Sequence, residues 1–121
     1  KGEAAFSVSS FDQRTFAENF AGMQDLALET IQTFLETLPG LLAAIENAIQ
    51  SKDSARLERS AHTLKGVVSN FYAERAKDLA EKLESAGRSA SENLVTETFA
   101  KLKAELVNLT ADLRDYAKGV P

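Results

Sequence analysis

The hexapeptide Ala61-His62-Thr63-Leu64-Lys65-Gly66 contains the one histidine of the 121-residue chain. A lone imidazole cannot build a multi-histidine metal centre or relay protons through several bases; if it reacts, it does so once, as a nucleophile or as a charge. Lys65 stands one helical turn further on. A cation there disfavours a second positive charge on the ring, keeping a nitrogen lone pair available near neutral pH, and it is placed to pair with an anion attached to that ring. Gly66, at i+4, leaves bare backbone where a side chain would crowd whatever approaches the imidazole. Glu58, at i−4, is placed to accept the Nδ1 proton and so present Nε2 outward, although an ordinary solvated carboxylate would look the same. Arg59 and Ser69 complete the polar rim that a partner would meet.

Other chemistries fit poorly. Di-iron bundles need Glu-x-x-His on two helices, and one histidine cannot supply two. Nothing resembles the strand-turn-helix elbow of a serine nucleophile, and no phosphate-binding Gly-x-x-x-x-Gly-Lys loop or kinase glycine box is present. The chain has no cysteine, which removes disulfides, thiolate metal sites and cysteine nucleophiles and leaves the cytoplasm as the simplest compartment. Binding of a cofactor or metal by this chain is therefore not expected. The net charge of −4 argues against nucleic acid as the main ligand. Acidic residues crowd the first 51 positions, whereas residues 52–82 are locally basic, which favours an acidic partner surface around His62.

The elements that carry these residues read as helical throughout, with no alternating β-branched run to support a strand. Residues 1–9 are expected to be a flexible lead-in and 10–118 a single domain. Ser10 or Asp12 caps a short helix bearing Phe16 and Phe20, closed by Gly22. A long apolar stripe of Leu28, Ile31, Leu35, Leu38, Leu42, Ile45 and Ile49 follows. Its phase runs unchanged across Pro39-Gly40, so the spacing predicts one kinked helix over 24–50 rather than two. Ser51 or Asp53 caps the helix carrying Leu57, Ala61, Leu64, Val68 and Phe71. The next, over 73–86, buries Ala76, Leu79, Ala80 and Leu83, with Gly87 as a left-handed C′ residue. Ser89 or Ser91 opens the last, striped by Val95, Phe99, Leu102, Leu106, Leu109, Leu113 and Tyr116. Short connections make neighbours antiparallel, so the fold class is all-α: an up-down four-helix bundle with a short extra N-terminal helix across one end.

Helical geometry also sets where His62 points. With Leu57 taken as zero, Ala61, Leu64 and Val68 fall within about 40° of it, and His62 falls about 140° away. The ring therefore faces water in mid-helix. Gly66 shares that outer face at a cost of ~1 kcal/mol relative to alanine, which calls for a compensating role.

This hexapeptide, preceded by Leu57 and followed by Asn70, resembles the signature of histidine-containing phosphotransfer domains of two-component phosphorelays. Ala73, Ala76, Leu79, Leu83 and Glu84 are similar to that family's following helix, which ends in a Leu-Glu pair and a small-residue turn such as Ser85-Ala86-Gly87. Tyr72 departs from the pattern, standing where many members have glycine. The resemblance implies that His62 is the phosphoacceptor, exchanging a phosphoryl group with an aspartate on response-regulator receiver domains. It places Lys65 beside that group and makes Gly66 the clearance for the receiver, which brings the Mg²⁺. It implies no kinase activity in this chain. A histidine kinase in the same or another polypeptide is a further expected partner, and the domain is expected to act as a monomer without direct membrane contact. No apolar stretch approaches the ~20 residues needed to cross a bilayer. The opening on Lys1 fits a segment of a longer polypeptide, such as the C-terminal domain of a membrane-anchored hybrid sensor kinase, and equally fits processing. Two alternatives stay open: the phosphoacceptor domain of a chemotaxis-type kinase, and a structural docking bundle in which His62 is incidental.

Overall fold

The computed structural model describes residues 10–89 and 91–119, so the lead-in expected over residues 1–9 lies outside the described residues. Five helices follow one another: α1 Gln13–Asn19, α2 Gln24–Gln50, α3 Ser54–Ser69, α4 Glu74–Ser89 and α5 Glu92–Lys118. No strand occurs among the described residues. Local chemistry sets the starts. The Asp12 carboxylate accepts from the Thr15 backbone N–H at 3.1 Å, Asp53 from that of Arg56 at 3.0 Å, and Ser91 from that of Leu94 at 3.4 Å; each satisfies a backbone donor that the first helical turn leaves free. α2 runs unbroken through the exposed Pro39, as the uninterrupted apolar phase required.

The turns hold more strain. Gly22 takes a φ of 77° between α1 and α2, which costs a glycine little. Lys52 (φ 57°) and Tyr72 (φ 56°) do the same work at the α2–α3 and α3–α4 corners without that freedom. Tyr72 is held by its surroundings. Its N–H donates to Ser69 O at 3.0 Å, its carbonyl accepts from Asp12 N at 3.2 Å, and its hydroxyl meets Asn19 Nδ2.

The α3–α4 pairing is the most extensive in the molecule, and α4–α5, α2–α3 and α2–α5 contacts close the ring of four. The core runs down its axis through Ile31, Ile45, Leu64, Val68, Leu83, Leu102, Leu106 and Leu109. α1 lies across one end. Phe16 is fully buried there, with its ring 5.5 Å from Phe71 and 5.6 Å from Tyr116, while Phe34 reaches Phe71 at 5.0 Å. Polar contacts fasten the same end: Ser10 N–H donates to Asp112 at 2.6 Å, and Arg75 pairs with the largely buried Glu105 at 3.3 Å.

Three sequence expectations need correction. α4 does not stop before Gly87 but continues to Ser89, and Gly87 is a buried helical residue rather than a left-handed cap. Its missing side chain serves packing, because a Cβ there would stand 3.3 Å from Leu57 Cδ2. On α2 the buried set is Ala27, Ile31, Phe34, Leu38, Ile45 and Ala48, with Leu28, Leu35, Leu42 and Ile49 only half-buried. α2 touches both α3 and α5, so its inward face is wider than a single stripe and takes in small residues and a phenylalanine. Leu79 and Tyr116 are likewise half-buried instead of core.

Candidate functional site

His62 sits midway along α3 with its side chain 65 % exposed. The core side of the same helix, Leu57, Ala61, Leu64 and Val68, is buried against the bundle, which fixes the rotation that turns the ring outward. Its Nδ1 lies 3.1 Å from Glu84 Oε2 on α4. An ionised carboxylate can only accept, so in the neutral ring this contact places the proton on Nδ1 and leaves the lone pair on Nε2. That nitrogen is the one left open to react.

Glu84 is the hub of the site. Its side chain is 13 % exposed, and its second oxygen, Oε1, lies 3.4 Å from Lys65 Nζ. Arg88, one turn along α4, holds Glu58 Oε2 at 2.8 Å and stands 3.8 Å from Glu84 Oε2. The hydrogen bond to Glu58 raises the Arg88 guanidinium above its ordinary value, with lost hydration working against it. The result is a row of alternating charge between α3 and α4, flanking the imidazole on one side.

The arrangement keeps some expected residues and reassigns others. Lys65 is beside the ring, and Gly66 is exposed on the outer face with nothing within 4 Å of where a Cβ would be. Glu58 does not reach the Nδ1 proton, because Arg88 holds its carboxylate while Glu84 takes the imidazole. Ser69 is half-buried, its hydroxyl turned back onto Lys65 O at 2.7 Å. Arg59 is exposed and forms no ion pair among the described residues. Glu84 and Arg88 were missed as site residues. Hairpin register could have found them: His62 and Glu84 are equally far in sequence from Ala73, as are Glu58 and Arg88, so folding α3 onto α4 about that residue brings each pair level.

Among the described residues no group of three or more His, Cys, Asp or Glu is placed to hold a metal ion. What the site offers is one oriented nucleophile, an adjacent cation and open backbone. Residues 29–115, most of the chain and all of α3 and α4, match the family model of the Hpt domain. The chain belongs to the Hpt family. The fold agrees: histidine-containing phosphotransfer protein B (HptB) from Pseudomonas aeruginosa superposes with a TM-score of 0.85 at 20% identity, over 93% of this chain and 97% of that one. No curated protein sequence matches the chain. As an Hpt domain it is a phosphotransfer module of the phosphorelay type, and none of its helices among the described residues is long and apolar enough to cross a membrane.

Proposed function

We propose that His62 is the phosphoacceptor of a phosphorelay, loaded and unloaded by aspartate on response-regulator receiver domains. The observation that carries this reading is the exposed His62 ring whose Nδ1 is engaged by Glu84, leaving Nε2 to react. In loading, the Nε2 lone pair forms a bond to phosphorus as the aspartyl P–O bond breaks, and the aspartate leaves as carboxylate. The Nδ1 proton stays on the ring, where Glu84 stabilises the positive charge that develops. Lys65 faces the incoming phosphoryl oxygens and Gly66 gives clearance to the receiver. Glu58, Arg59 and Ser69 form the rim, with unpaired Arg59 available to an acidic receiver surface. The receiver brings Mg²⁺, and this domain binds no cofactor of its own; most of the rate comes from positioning and electrostatics rather than from a base in this chain. The domain works as a monomer in the cytoplasm, alone or joined to a hybrid sensor kinase.

Incubation with a phosphorylated receiver and Mg²⁺ tests this. The expected product is an acid-labile, base-stable phosphate on the chain that His62→Gln does not form. Equal labelling of His62→Gln, or none of the native chain by the receivers encoded beside it, contradicts the reading.

A further inference from the structure

Loading changes the charge of the ring as well as attaching a group to it. A phosphoryl group on Nε2 of a ring that keeps its Nδ1 proton turns the neutral imidazole into a cation, 3.1 Å from Glu84 Oε2. That proton decides how the group can leave. With Nδ1 protonated, breaking the P–Nε2 bond returns the electron pair to a neutral imidazole; without it the leaving group is an imidazolate anion, and the bond resists cleavage. The Glu84 carboxylate favours the protonated ring, as an opposite charge at this distance does. Its hold is shared: Oε1 lies 3.4 Å from Lys65 Nζ, and Arg88 Nη1 stands 3.8 Å from the same Oε2 that meets the ring. Glu58 in turn takes up Arg88 at 2.8 Å. Among the described residues no other charged group pairs with this row. α2, packed on the other flank of α3, carries Asp25, Glu29, Glu36 and Glu46 and no cation. Arg59 forms no ion pair, and Glu81 and Lys77, one and two turns back along α4 from Glu84, are of opposite sign.

We infer that Glu84 holds the Nδ1 proton on the loaded ring at neutral pH and that the Glu58–Arg88 pair sets how firmly it does so, so that these two side chains tune how readily His62 gives up its phosphoryl group. This rests on His62 being the phosphoacceptor. Both act through the field at Glu84 and the ring, with no bond to phosphorus, and are positioning residues. Arg88 without Glu58 would compete with the ring for Glu84 Oε2 and set an unbalanced cation beside it, whereas Glu58 without Arg88 would set an unbalanced anion one turn from it. Paired as they are, the two offset each other, and the charges of Glu58, Glu84, Lys65 and Arg88 cancel before loading. The phosphoryl group then adds a charge of about −2, which the ring proton only partly balances. The loaded site is net negative, and a negative site keeps its proton.

The hold on the proton is measurable without any receiver. Phosphoramidate loads the chain as Nε2 bonds to phosphorus and the P–N bond of the reagent breaks, ammonia leaving with its electron pair. Once the reagent is removed, transfer of the phosphoryl group to water is timed across a pH series for the native chain, Glu84→Gln, Arg88→Gln and Glu58→Gln, and the ring proton is followed through the two ¹⁵N shifts of His62. The rate falls as the proton is lost, so the pH of half-maximal rate reports how firmly it is held. Glu84→Gln should lower that midpoint by about one pH unit, and Arg88→Gln should raise it by about half a unit. Glu58→Gln breaks the same ion pair as Arg88→Gln, yet should lower the midpoint. Opposite shifts from the two halves of one pair are not what a purely structural tie gives. An unmoved or raised midpoint in Glu84→Gln overturns the hold on the proton; no movement, or movement in one direction, in Arg88→Gln and Glu58→Gln overturns the tuning. A chain that phosphoramidate cannot load on His62 removes the phosphoacceptor reading and this inference with it.

Discussion

Glu84 engages Nδ1 of His62 and leaves Nε2 open, and the sequence hid it behind a nearer candidate. Glu58, one turn from His62 on the same helix, had the right chemistry at the right spacing, but Arg88 holds it at 2.8 Å while Glu84 reaches Nδ1 from the neighbouring helix. Spacing within one helix carries no information about what an adjacent helix contributes; only the register of the hairpin does. Replacing Glu84 by alanine is expected to return His62 to a mixture of tautomers, read from its two ¹⁵N shifts. Phosphotransfer should slow by about tenfold, the equivalent of losing one hydrogen bond to a charged group. Gly66, by contrast, was legible from the start, because a mid-helix glycine on an outer face has a cost that needs a reason. Nothing lies within 4 Å of a Cβ at that position, so Gly66→Ala should raise stability by ~1 kcal/mol in urea denaturation. Gly66→Leu should leave the fold intact and slow receiver-dependent loading more than loading by phosphoramidate. Equal slowing by both donors would place the obstruction at the ring and not at the docking surface.

The helices were legible wherever a phase or a cap marked them. Asp12, Asp53 and Ser91 each cap as their residue types suggested, and α2 keeps its phase through Pro39. The end of α4 was not legible, because Gly87 reads in sequence as a helix stop and only contact with Leu57 shows it to be a packing residue. Both uses follow from the missing Cβ, and sequence alone does not separate them. Gly87→Leu is therefore expected to cost ~1–3 kcal/mol through overpacking, seen as a lower midpoint in denaturant. Because a Cβ at position 87 would also stand 3.7 Å from the backbone nitrogen of Glu58, the same variant should loosen the Glu58–Arg88 pair. Tyr72 shows the opposite trade. It takes a φ of 56° that a glycine would occupy without strain, yet its ring packs against the core and its hydroxyl meets Asn19.

At the scale of the molecule, the basic stretch 52–82 of an acidic chain covers α3, which carries His62, and the first half of α4 packed beside it, and a bundle closed by α1 holds α3 at a fixed rotation. The closure has a pH signature. Hydrogen bonds from the Thr15 backbone and hydroxyl hold the Asp12 carboxyl below its ordinary value of 3.8. A carboxyl depressed in the folded state stabilises fully above its unfolded value, and that contribution is lost as pH falls through the lower folded one. Asp12→Asn, which still caps, should narrow its stability difference from the native chain as pH drops below about 3.8. Whether the whole arrangement serves one nitrogen can be asked of the sole histidine, using chain labelled with ¹⁵N-histidine and phosphorylated by a receiver. Phosphorus–nitrogen coupling should appear at Nε2, with the other nitrogen carrying the Glu84-bound proton. Coupling at Nδ1, or phosphate on any residue other than His62, would contradict the account.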